Sequence, residues 1–180
     1  NGVPSDFGFA MQMHPHDPDT VYIVPIQSDE FRVVAESKLR VYRTRDGGIT
    51  WKLVLRNTDA TGFFDCMDFD GDEGRLLGDP IDGRFQLYAS RDRGATWTAV
   101  TGPRADKDEA AFAASGTCVK RLHEATLVVT GGSRARVHFL PDRLARHADA
   151  AERRDRIRAC QHARVAREQL ELLARRRVRA

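Results

Sequence analysis

Short apolar runs, each closed by a turn signal, follow one another through the first 137 residues. "AMQM" alternates from Ala10, the turn "HPHDPD" follows, and "TVYIVPI" begins at Thr20. Further on come "LRVYRT", "TWKLVL", "FFDCMDF" and "EATLVVT", rich in β-branched and aromatic residues. Gly, Pro, Asp and Asn collect between them. Runs of this length and composition, bounded by such residues, predict strands joined by tight turns. The expectation is an all-β body.

Two of these stretches are the same stretch. "VYRTRDGGITWKLV" (41–54) returns as "LYASRDRGATWTAV" (87–100), so that Thr44, Asp46, Gly48, Thr50 and Trp51 match Ser90, Asp92, Gly94, Thr96 and Trp97. The pattern is [S/T]-x-D-x-G-x-T-W. An Asp inside such a turn can accept hydrogen bonds from nearby backbone N–H groups, and the Gly can take positive φ without a Cβ penalty. The Trp, opening the returning strand, lays a large apolar surface over the hairpin. Every part serves the folding of a hairpin. A period of 46 residues points to a repeat architecture.

The motif resembles the Asp-box, or BNR repeat, of sialidases, sortilin-type ectodomains, xyloglucan-hydrolysing glycoside hydrolases and photosystem II stability/assembly factor-like proteins. "HPHDPDTVYIV" is similar to the "HPxDPxxxYV" segment that precedes the box in sortilin-like propellers. "FFDCMDF", "GDPIDGRF" and "AFAASGTC" resemble segments of bacterial assembly-factor-like BNR proteins. The resemblance covers about residues 5–137. It implies a partial β-propeller of about three four-stranded blades, near 5–56, 60–102 and 109–137. It also implies that the boxes join outer strands, away from any active centre. Three blades fall short of the 4–8 that close a ring, so self-association through open blade edges is expected.

The pattern breaks where a third box is due. Residues 138–180 hold neither Gly nor Trp and are rich in Ala, Arg, Leu and Glu, which favour helix. Their apolar positions (Leu144, Ile157, Val165, Leu170, Leu172, Leu173) make a ragged stripe. Two readings stand side by side: a basic helix that packs on a sheet edge or binds a partner, and a frame change or truncation product. Charge follows the same division. Residues 1–136 carry 17 Lys/Arg against 20 Asp/Glu, net −3; residues 137–180 carry 12 Arg against 6 acids, net +6. With no aromatic interleaved for base stacking, the tail argues against nucleic acid.

No stretch reaches the 18 apolar residues of a membrane span. The chain opens "NGVPSDFGFA", without Met, a basic start or an apolar run, which reads as a mature form or a fragment and marks no compartment. Cys66, Cys118 and Cys160 give no disulfide framework by number or spacing, and the first two are expected as small buried apolar residues. Asp68, Asp70, Asp72 and Asp79 have some of the spacing of a calcium loop, but Glu73 stands where Gly is needed. His14, His16 and Asp17 share a Pro-rich turn, short of the ligands a metal needs. No metal and no cofactor are expected. For glycoside hydrolysis, paired carboxylates must face each other across a cleft; Asp65 and Glu109 are the candidates. Asp65, Asp68 and Ser115 flank innermost strands and are candidates to face a central channel. The reading is a non-catalytic binding or assembly module for a protein or glycan, with an exo-acting glycoside hydrolase (sialidase or xyloglucanase-like), or a remnant of one, as the alternative.

Overall fold

The computed structural model describes residues 2–59 and 61–142, and twelve strands run through them. The first sheet is a meander of β1 (Met11–His14), β2 (Asp17–Ile23), β3 (Arg40–Thr44) and β4 (Lys52–Arg56). The second repeats it with β5 (Phe64–Asp70), β6 (Glu73–Ile81), β7 (Arg84–Ser90) and β8 (Thr98–Val100). The third joins β10 (Val119–Leu122), β11 (Ala125–Gly132) and β12 (Arg136–Pro141), while β9 (Glu109–Ala110) pairs with the far end of β11. All pairings are antiparallel.

Turn chemistry fits the connections. Asp82 and Gly83, between β6 and β7, have φ of 51° and 73°, the doubly left-handed pair that a two-residue hairpin needs for its twist. Gly71 takes φ 56° between β5 and β6. The fold has two ends. One carries both repeated hairpins with the β1–β2, β5–β6 and β10–β11 turns. The other carries the β6–β7 and β11–β12 turns with the longer loops.

The middle sheet has neighbours on both faces, which explains why six of the seven residues of β5 are buried. Met67, Phe69 and Leu76 meet Tyr22, Val24, Leu39 and Val41 of the first sheet and its flanks. Cys66, Leu77, Phe85 and Leu87 meet Cys118, Val119 and Val128 of the third. Trp97 packs into the first junction, with its ring centroid 5.8 Å from that of Phe69.

Two expectations need correction. Cys66 and Cys118 are joined as a disulfide, with Cα atoms 5.7 Å apart. They are buried as expected, yet they are cross-linked, because β5 and the approach to β10 face each other across the second junction. A count of three cysteines cannot report that proximity. The boundary at 137 also moves: residues 138–141, assigned to a helix, continue β12. "VHFL" keeps an alternating strand pattern, and the helix-forming composition starts only beyond Pro141. The rest of the expected helical tail, including Cys160, lies outside the described residues.

Candidate functional site

Each repeated hairpin is organised by its Asp. In the first, Asp46 Oδ1 accepts from the Thr44 hydroxyl at 2.6 Å and from Thr50 N at 2.9 Å, and Oδ2 accepts from the Thr50 hydroxyl at 2.5 Å. Gly48 N donates to Thr44 Oγ1 at 3.0 Å, and Trp51 Nε1 to the Gly48 carbonyl at 3.1 Å. The second copies the Asp and Gly bonds: Asp92 accepts from Ser90 (2.8 Å), Thr96 N (2.9 Å) and the Thr96 hydroxyl (2.6 Å), and Gly94 N donates to Ser90 Oγ at 2.8 Å, whereas Trp97 Nε1 is buried without a hydrogen-bond partner. The Thr44 and Thr50 hydroxyls hold the Asp46 carboxyl down at about 2. Burial pushes Asp92 up, but the bonds from Thr96 and Ser90 outweigh it and its net shift is downward. Both carboxylates accept three hydrogen bonds from within their own turns.

The second hairpin also ties the first two sheets together. Arg93 Nη2 donates to Asp17 Oδ2 at 3.0 Å, and Asp17 also accepts from Thr20. His14 is buried and its Nε2 lies 2.9 Å from the Gly71 carbonyl. The His14, His16, Asp17 turn is therefore part of a junction. The calcium-loop candidates do not converge. Asp68 bonds Lys120 Nζ at 2.9 Å and Arg121 N at 2.6 Å in the second junction, Asp72 lies 3.7 Å from Arg93, and Asp79 is at the opposite end. Among the described residues no three His, Cys, Asp or Glu side chains are grouped to hold a metal ion.

The opposite end holds the less conventional chemistry. Asp65 is the residue skipped where the β5–β6 register slips between Phe64 and Cys66, and Asp79 is skipped where β6–β7 slips between Gly78 and Pro80. Two bulges thus turn two carboxyls toward one place. Asp65 is 2% exposed, and its Oδ2 is buried without a hydrogen-bond partner. Burial, then the neighbouring Asp79 charge, push its carboxyl up to about 8, so it keeps its proton at neutral pH. Asp79, also raised by burial, accepts from Ala111 N at 3.1 Å through Oδ1. Gln86 Nε2 reaches the Asp79 carbonyl at 3.2 Å, and Gln86 Oε1 accepts from Asn57.

Glu109, the other candidate acid, has no exposed side-chain surface. It accepts from Arg136 Nε at 2.9 Å, from Asp106 N at 2.8 Å and from Thr130. The Arg136 bonds, helped by Thr130, hold its carboxyl at about 2 against the opposing effect of burial. Ser115 is exposed on a 3-10 turn (Ala113–Ser115) and bonds back to the Phe112 carbonyl at 3.0 Å. Among the partners of these residues, Asn57, Gln86, Thr130 and Arg136 carry no signature in the sequence, and Asp79 stands out only for a calcium-loop spacing that the fold does not use. A groove of about 610 Å³ runs along β7 and β8, lined by Arg84, Gln86, Tyr88 and Val100. Of the groups around the carboxyl pair, it reaches only Gln86.

No protein-family model and no curated protein matches the chain. Solved structures do. One described as YCF48 bound to D1 peptide aligns at a TM-score of 0.50 with 18% identity, over 74% of this chain and 36% of its own. YCF48 from Cyanidioschyzon merolae gives 0.43 with 20% identity, over 72% of this chain and 36% of its own. The chain spans about a third of the length of these structures. YCF48 is a β-propeller, and a likeness at this identity speaks to fold: the three stacked sheets are blades of the β-propeller type.

Proposed function

We propose that the chain is a non-catalytic binding or assembly module of the Asp-box propeller class, with a protein partner. In this reading Thr44, Asp46, Gly48, Thr50 and Trp51, with Ser90, Asp92, Gly94, Thr96 and Trp97, are struts that hold outer hairpins in shape. The opposite end, where Ser115 is exposed, is the side turned to a partner, with Asp65 buried beneath it. The observation that carries the reading is the state of the two candidate acids. Asp65 is 2% exposed, and Glu109 is saturated by Arg136, Thr130 and a backbone N–H. Neither presents its carboxyl to a substrate, whereas glycoside hydrolysis needs an accessible carboxylic acid and an accessible carboxylate facing each other across a cleft. A protein partner is supported by YCF48, a photosystem II assembly factor, one structure of which holds a D1 peptide.

One observation favours the alternative, a glycoside hydrolase or its remnant. A protonated Asp65 beside Asp79 has the raised pKa of a general acid. The two readings part experimentally. A peptide array that includes a D1 peptide, and turnover of aryl glycosides, sialosides and xyloglucan oligosaccharides, are measured on the same protein. Saturable peptide binding with no turnover is expected, and Glu109→Gln should lower stability only. Turnover that Asp65→Asn abolishes would overturn the binding reading.

A further inference from the structure

The first and third sheets each leave part of one face exposed among the described residues, at positions that match sealed ones in the middle sheet; on the first sheet Ile23 and Tyr42 are 9% and 7% exposed, and the open part is at β1. Met67 pairs with Leu76, and Leu76 with Tyr88; Met11 pairs with Ile23, and Ile23 with Tyr42. Met11 therefore holds the place of Met67, and Met13, two residues on, that of Phe69. Met67 and Phe69 are 2% and 5% exposed; Met11 and Met13 are 60% and 55% exposed. On the third sheet, Val128 is buried against the middle sheet, so its neighbours in β11 point the other way. Their pairing partners in β12, Val137 and Phe139, are 68% and 59% exposed.

We propose that these two bare faces are complementary, and that a second copy of this chain covers both. The third sheet of each copy seats on the first sheet of the other. The new junctions continue the existing ones. In the first junction a face of Tyr22, Val24 and Val41 meets one bearing Met67 and Phe69, and the pairing of Val137 and Phe139 with Met11 and Met13 repeats that meeting of a valine- and aromatic-bearing face with a Met-bearing one. Three sheets per copy make six in the pair, within the 4–8 that close a ring; a third copy would exceed it. The chain's own residues 143–180 contain no Phe, Trp or Tyr, and a single segment covering one face would leave the other bare.

Size-exclusion chromatography with light scattering tests this on the full chain. The expected mass is twice the 20.2 kDa of one copy. Met13→Asp and Phe139→Asp, both at exposed positions, should each halve the mass while keeping the near-ultraviolet dichroism of Trp51 and Trp97. Mixing the two variants should restore part of the doubled species, because one undamaged pair of faces remains. A single-copy mass for the unmodified chain overturns the proposal without any variant. So does a mass that grows beyond two copies with concentration, or a doubled mass that survives Met13→Asp.

Discussion

The Tyr22 hydroxyl donates to the carbonyl of Arg93, 2.5 Å away in space and 71 residues further along the chain. Tyr22 is fully buried and stacks on Phe69 with ring centroids 4.5 Å apart. The same carbonyl accepts from Arg43 Nη1 at 2.9 Å. The tip of the second repeated hairpin is thus an acceptor site for the first sheet, in addition to closing its own turn. The two copies of the motif share a local structure and differ in what surrounds them.

That difference is measurable at the matched glycines. A Cβ on Gly94 (φ 66°) would lie 2.3 Å from Tyr22 Cε1, while one on Gly48 (φ 94°) would meet nothing closer than Trp51 Cζ2 at 3.7 Å. Gly48→Ala carries backbone strain only, about 1–2 kcal/mol. Gly94→Ala adds overpacking at a buried junction, for about 2–4 kcal/mol in all. Urea unfolding of the two variants should place Gly94→Ala clearly lower; equal midpoints would show that the two hairpins occupy equivalent surroundings.

The Cys66–Cys118 bond closes a separation of 52 residues, which the chain-entropy account values at about 4 kcal/mol. Cys66→Ala should lower the thermal midpoint under oxidising conditions. Reductant should lower that of the unmodified chain and leave the variant unchanged. A midpoint indifferent to reductant in both would remove the bond from the account of stability.

Acid should loosen the repeated hairpins. Asp46 has a folded-state value of about 2, below its ordinary 3.8, so the unfolded chain takes up a proton first. Its contribution is therefore complete above pH 3.8 and fades as pH falls toward 2. Asp92 is shifted in the same direction. Melts between pH 5 and 2 should steepen in the unmodified chain, and Asp46→Ala together with Asp92→Ala should flatten that limb. An unchanged slope in the double variant would assign the acid sensitivity elsewhere.

Asp65 should act with the opposite sign. Its carboxyl, at about 8 when folded against 3.8 ordinarily, binds its proton more tightly in the native state. Stability then falls as pH rises from 3.8 to 8, by up to about 1.4 kcal/mol per unit. Asp65→Asn removes the charge and should flatten this decline, with its largest benefit at the alkaline end. A variant less stable than the unmodified chain at pH 8 would show that Asp65 is ionised and paired.

Much of this architecture was legible where it depends on local spacing. The bonds that Asp46 and Asp92 make inside the [S/T]-x-D-x-G-x-T-W hairpins reach at most four residues along the chain, so the sequence carries that part of the pattern. "DPIDG" predicts its turn for the same reason. Contacts made by stacking are invisible to such a reading: Cys66 finds Cys118 only once two sheets face each other. Asp65 and Asp79 were harder still. A bulge shifts one residue against its neighbours, and nothing in "FFDCMDF" or "GDPIDG" marks which residue the ladder skips. Arg136, the partner that neutralises Glu109, lay just before the boundary drawn at 137. There the Arg-rich composition obscured a strand that continues to Pro141.

Only the middle of the three sheets is enclosed on both sides among the described residues, and solvent-isotope exchange should report it. Leu76 and Leu77 of its central strand β6 are fully buried, so their amides should exchange only through the costliest opening of the body. Those of β1 and β12 need only local fraying. In a single copy, where no second chain covers the outer faces, neighbours stabilise one another and protection should rise toward β6 and fall away on either side, so that resistance to opening is graded along the chain by distance from its centre.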